Sequence, residues 1–269
     1  MGILSSARVA QWRAAADGLA DAVSAAHTEG EHSVIVRRWP RADAPCAVLV
    51  HGIGMGQQYF GLLRAELTRT FDVVTLDLPG FGTSPEPSQS LSMPELSDLV
   101  ANAIEAHASV PCVAVGHSMG SQVVAELAAR HPELVQSVVL IAPTVNAAER
   151  TGWQQALRLV QDLANDPPIV AAIGARLYLR TGPRWYLRKL RTMLDHDIRA
   201  VLPRIQQPTL VIRGDEDRVA PADWVRQVVA GLPDGRLRVA EGRGHEAMVT
   251  GAEPVASMIQ EFAGADHAA

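Results

Sequence analysis

Residues 111–120 read Pro-Cys-Val-Ala-Val-Gly-His-Ser-Met-Gly, and no other stretch restricts the fold as much. A short apolar, β-branched run ends in Gly-X-Ser-X-Gly, and an Ala-rich segment of helical period follows at once, so Ser118 falls where a strand turns into a helix. Glycines at 116 and 120 let the helix come back close against the strand, leaving the serine hydroxyl off the sheet edge. The start of the helix also offers free backbone N–H groups and the positive end of the dipole. A bare Ser-Met-Gly helix cap is the plainer reading of five residues, and it is the surrounding strand and helix that favour a nucleophile.

The rest of the chain supplies an α/β alternation around that turn. Apolar runs at 47–50, 72–76, 137–142 and 208–213 have the continuous character of strands buried on both faces, and Leu237-Arg238-Val239 is a last short strand. Ser33–Trp39 reads as a strand on the edge side of the sheet, closed by Pro40. Helical patterns follow most of them, including one from about Met93 to His107. Val9, Trp12, Ala16, Leu19, Ala20 and Val23 predict an amphipathic helix over 5–26. Between about 143 and 203 the alternation breaks into helical segments with Pro167-Pro168 and Gly182-Pro183. An insertion there lies over the carboxyl ends of the strands, where open α/β sheets bind ligands. The expected domains are a helical extension (1–32), a first core part (33–142), a helical lid (143–203) and a second core part (204–269).

Composition narrows the function. A formal charge of −5 over 269 residues with no basic run argues against a nucleic-acid partner. No apolar run reaches membrane-spanning length. Cys46 and Cys112 stand near the starts of apolar strands without metal-ligand spacing and read as two buried thiols in a reducing compartment. The Arg- and Ala-rich composition reads as bacterial, and the protein is expected in the cytoplasm.

An alcohol needs a base to become a nucleophile near neutrality, and the base needs an orienting carboxylate. His245, between Gly244 and the final helix at the end of the last strand, suits the base. Asp215, Glu216 and Asp217 share the loop after the strand at 208–213. Asp217 lies far enough beyond the strand end to reach His245, and Asp215, beside Gly214, is the alternative or a turn former. The loop His51-Gly52-Ile53-Gly54-Met55-Gly56 lacks the spacing of a phosphate loop. It is better placed to supply an oxyanion donor, the Ile53 N–H, beside that of Met119. Asp77, next to Leu78-Pro79-Gly80, reads as a turn brace more than a catalytic acid.

With these four blocks in order, the sequence resembles the α/β-hydrolase fold superfamily, in its lid-bearing branch. His51-Gly52-Ile53-Gly54, Gly116-His117-Ser118-Met119-Gly120, Gly214-Asp215-Glu216-Asp217 and Gly244-His245 match that family's oxyanion loop, elbow, acid loop and histidine loop, across roughly residues 33–262. The resemblance implies a mostly parallel eight-stranded sheet flanked by helices, with an α-helical lid after strand 6. It also implies a Ser118-Asp217-His245 triad and no metal or organic cofactor. Two departures stand out: Ser121 occupies a position that is often glycine, and the family's first strand is hard to see, with the N-terminal helix as its expected replacement.

The expected activity is hydrolysis of a carboxylic ester, or a related acyl bond, of a small and largely apolar substrate through an acyl-enzyme. His51, Gly52 and His117 on the core loops and Tyr178, Arg180, Trp185 and Tyr186 in the lid are expected to face it. Arg176, Arg180, Arg184, Arg188 and Arg191, spaced by three or four, form either a stripe for an acidic substrate or acyl carrier, or a solvated face balanced by Asp195 and Asp197. One alternative is a carbon–carbon hydrolase acting on vinylogous diketo acids from aromatic ring cleavage, since Leu49–Phe60 and the lid arginines also resemble those enzymes. A non-catalytic receptor on the same fold is another.

Overall fold

The computed structural model of the protein describes residues 22–154, 158 and 182–266. In chain order its strands and helices are β1 (Val23–Glu29), β2 (His32–Trp39), β3 (Cys46–Val50), α1 (Gly61–Leu67), β4 (Asp72–Asp77), α2 (Met93–His107), β5 (Cys112–His117), α3 (Met119–Arg130), β6 (Val135–Ile141), α4 (Pro183–Asp195), β7 (Thr209–Gly214), α5 (Ala222–Ala230), β8 (Gly235–Ala240), α6 (Ala247–Thr250) and α7 (Ala252–Asp266). The strands form one eight-stranded sheet in the order β1-β2-β4-β3-β5-β6-β7-β8. From β4 through β8 the pairing is parallel, while β1 and β2 are antiparallel.

Every residue of β3, β4, β5 and β7 is buried, which is why their central positions are consecutive apolar residues rather than alternations, with the polar residues mostly at the strand ends. Each large aliphatic side chain so covered contributes about 1.5–3 kcal/mol relative to leaving it in water. Helix α2 packs against α3, and α1 against α7. Ser92 and Glu95 cap the start of α2 reciprocally, with Ser92 N–H donating to Glu95 Oε2 at 2.8 Å.

The connections from β3 and β5 leave in opposite directions, β3 leading to β4 on one side and β5 to β6 on the other. The crevice at the carboxyl ends of these two neighbours is the switch point of the sheet. The loop after β3 and the turn after β5 both open there.

The start of the chain differs from expectation. Residues 5–21 of the expected helix over 5–26 lie outside the described residues, and Val23–Ala26 are strand. Backbone pairing decides this: β1 is matched to β2 from Val23↔Arg38 to Glu29↔His32 across a two-residue turn, with Gly30 at φ 57°. The first strand is therefore present, β2 is not the outermost strand, and residues 23–32 form a strand and turn leading into β2 rather than a helical extension.

Between β6 and β7 the described residues include α4, anchored through several side chains. Lys189 Nζ donates to Leu91 O at 2.9 Å, Gln122 Nε2 to Met193 O at 3.0 Å, and Arg150 to the carbonyls of Leu194 and His196 at 2.6 and 3.1 Å. Of the arginine stripe, Arg176 and Arg180 lie outside the described residues, while Arg184, Arg188 and Arg191 are exposed on α4. Asp197 pairs with Arg199 and Arg150 instead of balancing them.

Candidate active site

Ser118 stands between β5 and α3 at φ 53°, ψ −117°, a region that costs a non-glycine residue about 1–3 kcal/mol. The surroundings enforce it. Ser118 N–H donates to Ile141 O on β6 at 2.9 Å, and the Ser121 hydroxyl donates to Gly116 O at 3.0 Å. A Cβ at Gly116 would collide with the Gly120 carbonyl, and one at Gly120 with the Val50 carbonyl, so the elbow closes only around these two glycines. Ser121 thus ties the turn together where a further glycine is usual. The Ser118 side chain makes no capping hydrogen bond to the helix, which removes the helix-cap reading. Met119 opens α3, so its N–H has no carbonyl partner within the helix.

The loop after β3 is held from beneath. His51 Nδ1–H donates to Gly52 O at 2.8 Å, and His51 Nε2 accepts from Leu78 N–H at 3.1 Å. Burial is the main influence lowering its pKa, which keeps the ring neutral as these two roles require. Asp77, fully buried at the end of β4, accepts from Gln57 N–H (2.8 Å), Gln57 Nε2 (2.9 Å), Thr83 N–H (2.9 Å) and Thr83 Oγ1 (2.7 Å). It is a brace for the loops at 52–57 and 78–84.

On the other side, Asp217 Oδ1 accepts the N–H groups of Val219 and Ala220, both at 2.8 Å, and Oδ2 lies 3.1 Å from His245 Nδ1. Both side chains are buried. Burial, the largest influence, opposes ionisation of Asp217. The charge and hydrogen bond of His245 and the two backbone donors together outweigh it and hold the carboxyl below its ordinary range. Asp215 is exposed and accepts from Arg243 N–H at 3.1 Å, shaping the turn rather than reaching His245. Arg213 fastens the acid loop from below through the carbonyls of Asp215, Asp217 and Ala220.

Ser118, His245, Gly52 and Ile53 line one cavity of about 380 Å³. Met55, His117, Thr144, Val219 and Glu246 complete its floor and sides, and Gly152, Trp153, Tyr186, Leu187, Leu190 and Met193 bound it from the segment between β6 and β7. Two residues expected to face substrate do not line it. His51 is consumed by the bonds just described, and Trp185, 1 % exposed, lies over Gly80 and against Phe81, with ring centroids 6.3 Å apart. Tyr178 and Arg180 lie outside the described residues. Thr144 and Glu246 carried no motif and were not anticipated; their place just past β6 and just after His245 is the one signal that could have marked them. Among the described residues, no group of His, Cys, Asp and Glu is arranged to hold a metal ion. Cys46 and Cys112 are buried free thiols, and burial raises the pKa of both.

A profile described as "Alpha/beta hydrolase family" matches residues 47–258. A putative carbamate hydrolase RutD of Pseudomonas savastanoi pv. phaseolicola is 30 % identical over 250 residues, covering 84 % of this chain and 96 % of the relative. A pimeloyl-[acyl-carrier protein] methyl ester esterase of Chromobacterium violaceum is 28 % identical over 221 residues, covering 72 % and 85 %. Among solved structures, a bacterial membrane phospholipase A superposes with a TM-score of 0.80 at 24 % identity, covering 99 % of this chain and 94 % of that one. At that identity the likeness concerns the fold. The strand order, the elbow after β5 and the match over 47–258 agree: the chain belongs to the alpha/beta hydrolase family of enzymes.

Proposed function

We propose that the protein is a serine hydrolase that cleaves a carboxylic ester, or a related acyl bond, of a small and largely apolar substrate through Ser118, His245 and Asp217. One observation carries the reading: a serine held at positive φ opens into the same cavity as an imidazole whose Nδ1 is 3.1 Å from a buried carboxylate. With Nδ1–H donated to Asp217, His245 presents Nε2 as the base. Ser118 Oγ attacks the carbonyl carbon and its proton passes to His245 Nε2. The N–H groups of Ile53 and Met119 receive the oxyanion. Collapse expels the alcohol, which takes the proton back from the imidazolium, and water then repeats the sequence on the acyl-enzyme.

The cavity supports the substrate class. A space of about 380 Å³ bounded by Ile53, Leu187, Leu190, Met193 and Val219 suits a short apolar acyl group. The named relatives, a carbamate hydrolase and a methyl ester esterase, attack carbonyls that carry a heteroatom leaving group, which agrees. Residues 143–203 act as the lid in this reading, and the working compartment is the cytoplasm, which suits the two free buried thiols. An acidic substrate tail or an acyl carrier would meet Arg184, Arg188 and Arg191 on the outer face of α4. Carbon–carbon cleavage of a diketo acid is the weaker reading, because no arginine among the described residues lines the cavity to hold the substrate carboxylate.

The test is a panel of p-nitrophenyl esters graded by acyl length and charge, run beside a coloured ring-fission dienoate. Short neutral esters should turn over fastest, and preference for the dienoate would reverse the assignment. A fluorophosphonate probe should label Ser118, and no label there would favour a non-catalytic receptor.

A further inference from the structure

The residues that flank the two reacting groups in the chain meet behind them. His117 precedes Ser118 at the end of β5, and Glu246 follows His245. His117 Nε2 lies 3.2 Å from the His245 carbonyl oxygen and 3.8 Å from Glu246 Oε2, and the two imidazole rings have centroids 5.0 Å apart. His117 and Glu246 are each 1 % exposed. A carbonyl only accepts, so the proton of a neutral His117 belongs on Nε2, and Glu246 Oε2, beyond hydrogen-bond reach, adds acceptor charge on the same side. Its Nδ1 has no hydrogen-bond partner among the described residues, which fits a bare lone pair on that nitrogen. Burial first, and the nearby His245 next, drive the His117 pKa well below the ordinary histidine range. The ring therefore grips the histidine loop as a neutral donor, without opposing the imidazolium that forms on His245 during turnover. The other titratable groups around it are Asp217 from the acid loop, His51 from the loop after β3, and Tyr59, whose ring centroid is 6.5 Å from that of His117.

We propose that His117 is a positioning residue for the base: its Nε2–H bond to the His245 carbonyl fastens the histidine loop to the strand that leads into Ser118, and Glu246, 3.8 Å from Nε2, favours the same tautomer by its charge. The inference rests on the reading of Ser118 as nucleophile and His245 as base. The His117 ring borders the cavity, but its one hydrogen bond among the described residues goes to His245, so its loss shows mainly in kcat rather than in KM. Misplacing a base by about 1 Å costs on the order of a hundredfold, which sets the scale.

Hydrolysis of p-nitrophenyl butyrate by the full-length protein tests this with three substitutions. His117→Phe keeps a ring and loses the donor; it should lower kcat about ten- to a hundredfold with KM within about twofold. His117→Gln returns an N–H at the place of Nε2 and should recover most of that loss. Imidazole ¹⁵N shifts of the unsubstituted protein need no variant to fold: His117 should stay neutral and protonated on Nε2 where an ordinary histidine titrates, and Glu246→Gln should mix the tautomers. A proton on Nδ1, full kcat in His117→Phe, or no rescue by His117→Gln in a folded protein would each overturn the tether. Ser118→Ala separates the two levels. If it is inactive while His117→Phe is fully active, the tether alone fails; if it retains turnover, the nucleophile reading fails first.

Discussion

Asp217 and His245 are joined at 3.1 Å between Oδ2 and Nδ1, with both side chains buried and the other carboxylate oxygen satisfied by two backbone N–H groups. The carboxylate is thereby aimed at one ring nitrogen, which fixes the tautomer and leaves Nε2 without the proton, as the proposed base requires.

Replacing Asp217 by Asn should keep this geometry and present the wrong tautomer, lowering kcat by about 10⁴-fold, as judged by steady-state ester hydrolysis. The pH dependence of stability gives a second check. The folded carboxyl has a depressed pKa, so the unfolded chain binds more protons as the solution is acidified. The stabilisation it contributes is complete above the unfolded value of about 3.9 and is lost as pH falls through the folded one. Urea midpoints should therefore drop more steeply below about pH 4 for the wild type than for Asp217→Asn.

Gln57 and Asp77 form the corresponding brace under the loop after β3, joined through both the backbone and side-chain nitrogens of Gln57. Gln57→Ala removes the side-chain donor to a buried carboxylate and leaves Thr75 Oγ1 without its 2.7 Å partner. The cost should be about 1–3 kcal/mol in chemical denaturation. A looser Ile53 should also reduce kcat more than it raises KM.

Gly120→Ala places a methyl group against the Val50 carbonyl, a backbone atom that cannot turn aside. The substitution should destabilise the protein by about 3 kcal/mol or more, read as a lowered urea midpoint, and abolish fluorophosphonate labelling even where folded protein is recovered.

Lys189 connects α4 to the Leu91 carbonyl from a buried position, and burial lowers its pKa to about 8. The sign follows from proton counts. Between about pH 8 and the unfolded value near 10.4 the unfolded chain binds more protons than the folded one, so stability rises with pH across that window. Lys189→Met should therefore gain relative to wild type at pH 7 and lose that advantage by about pH 10, compared by urea unfolding at the two pH values.

Much of this was legible in the sequence because burial on both faces writes itself as runs without apolar/polar alternation, continuous in Cys46–Val50 and centred on Val73, Val74 and Leu76 in β4. The elbow was legible for a different reason, since Gly116 and Gly120 answer steric collisions that any such turn must avoid. β1 was not. Val23–Glu29 joins the sheet by backbone bonds while most of its side chains face solvent, so its mixed, largely polar and small residues show no apolar alternation to mark a strand. Orientation was also hidden: His51 beside Gly52 and Trp185 beside Tyr186 are one residue apart in each pair, yet only the second of each lines the cavity. Which neighbour turns inward depends on partners distant in sequence, Leu78 for His51 and Gly80 for Trp185.

The central claim is that Ser118 is the nucleophile, and the most direct measurement is mass spectrometry of the intact protein and its peptides after incubation with a fluorophosphonate. The account predicts one adduct per chain, on Ser118, formed in step with loss of esterase activity and absent from Ser118→Ala. Stoichiometric labelling at another residue, or full hydrolysis by Ser118→Ala, would contradict it.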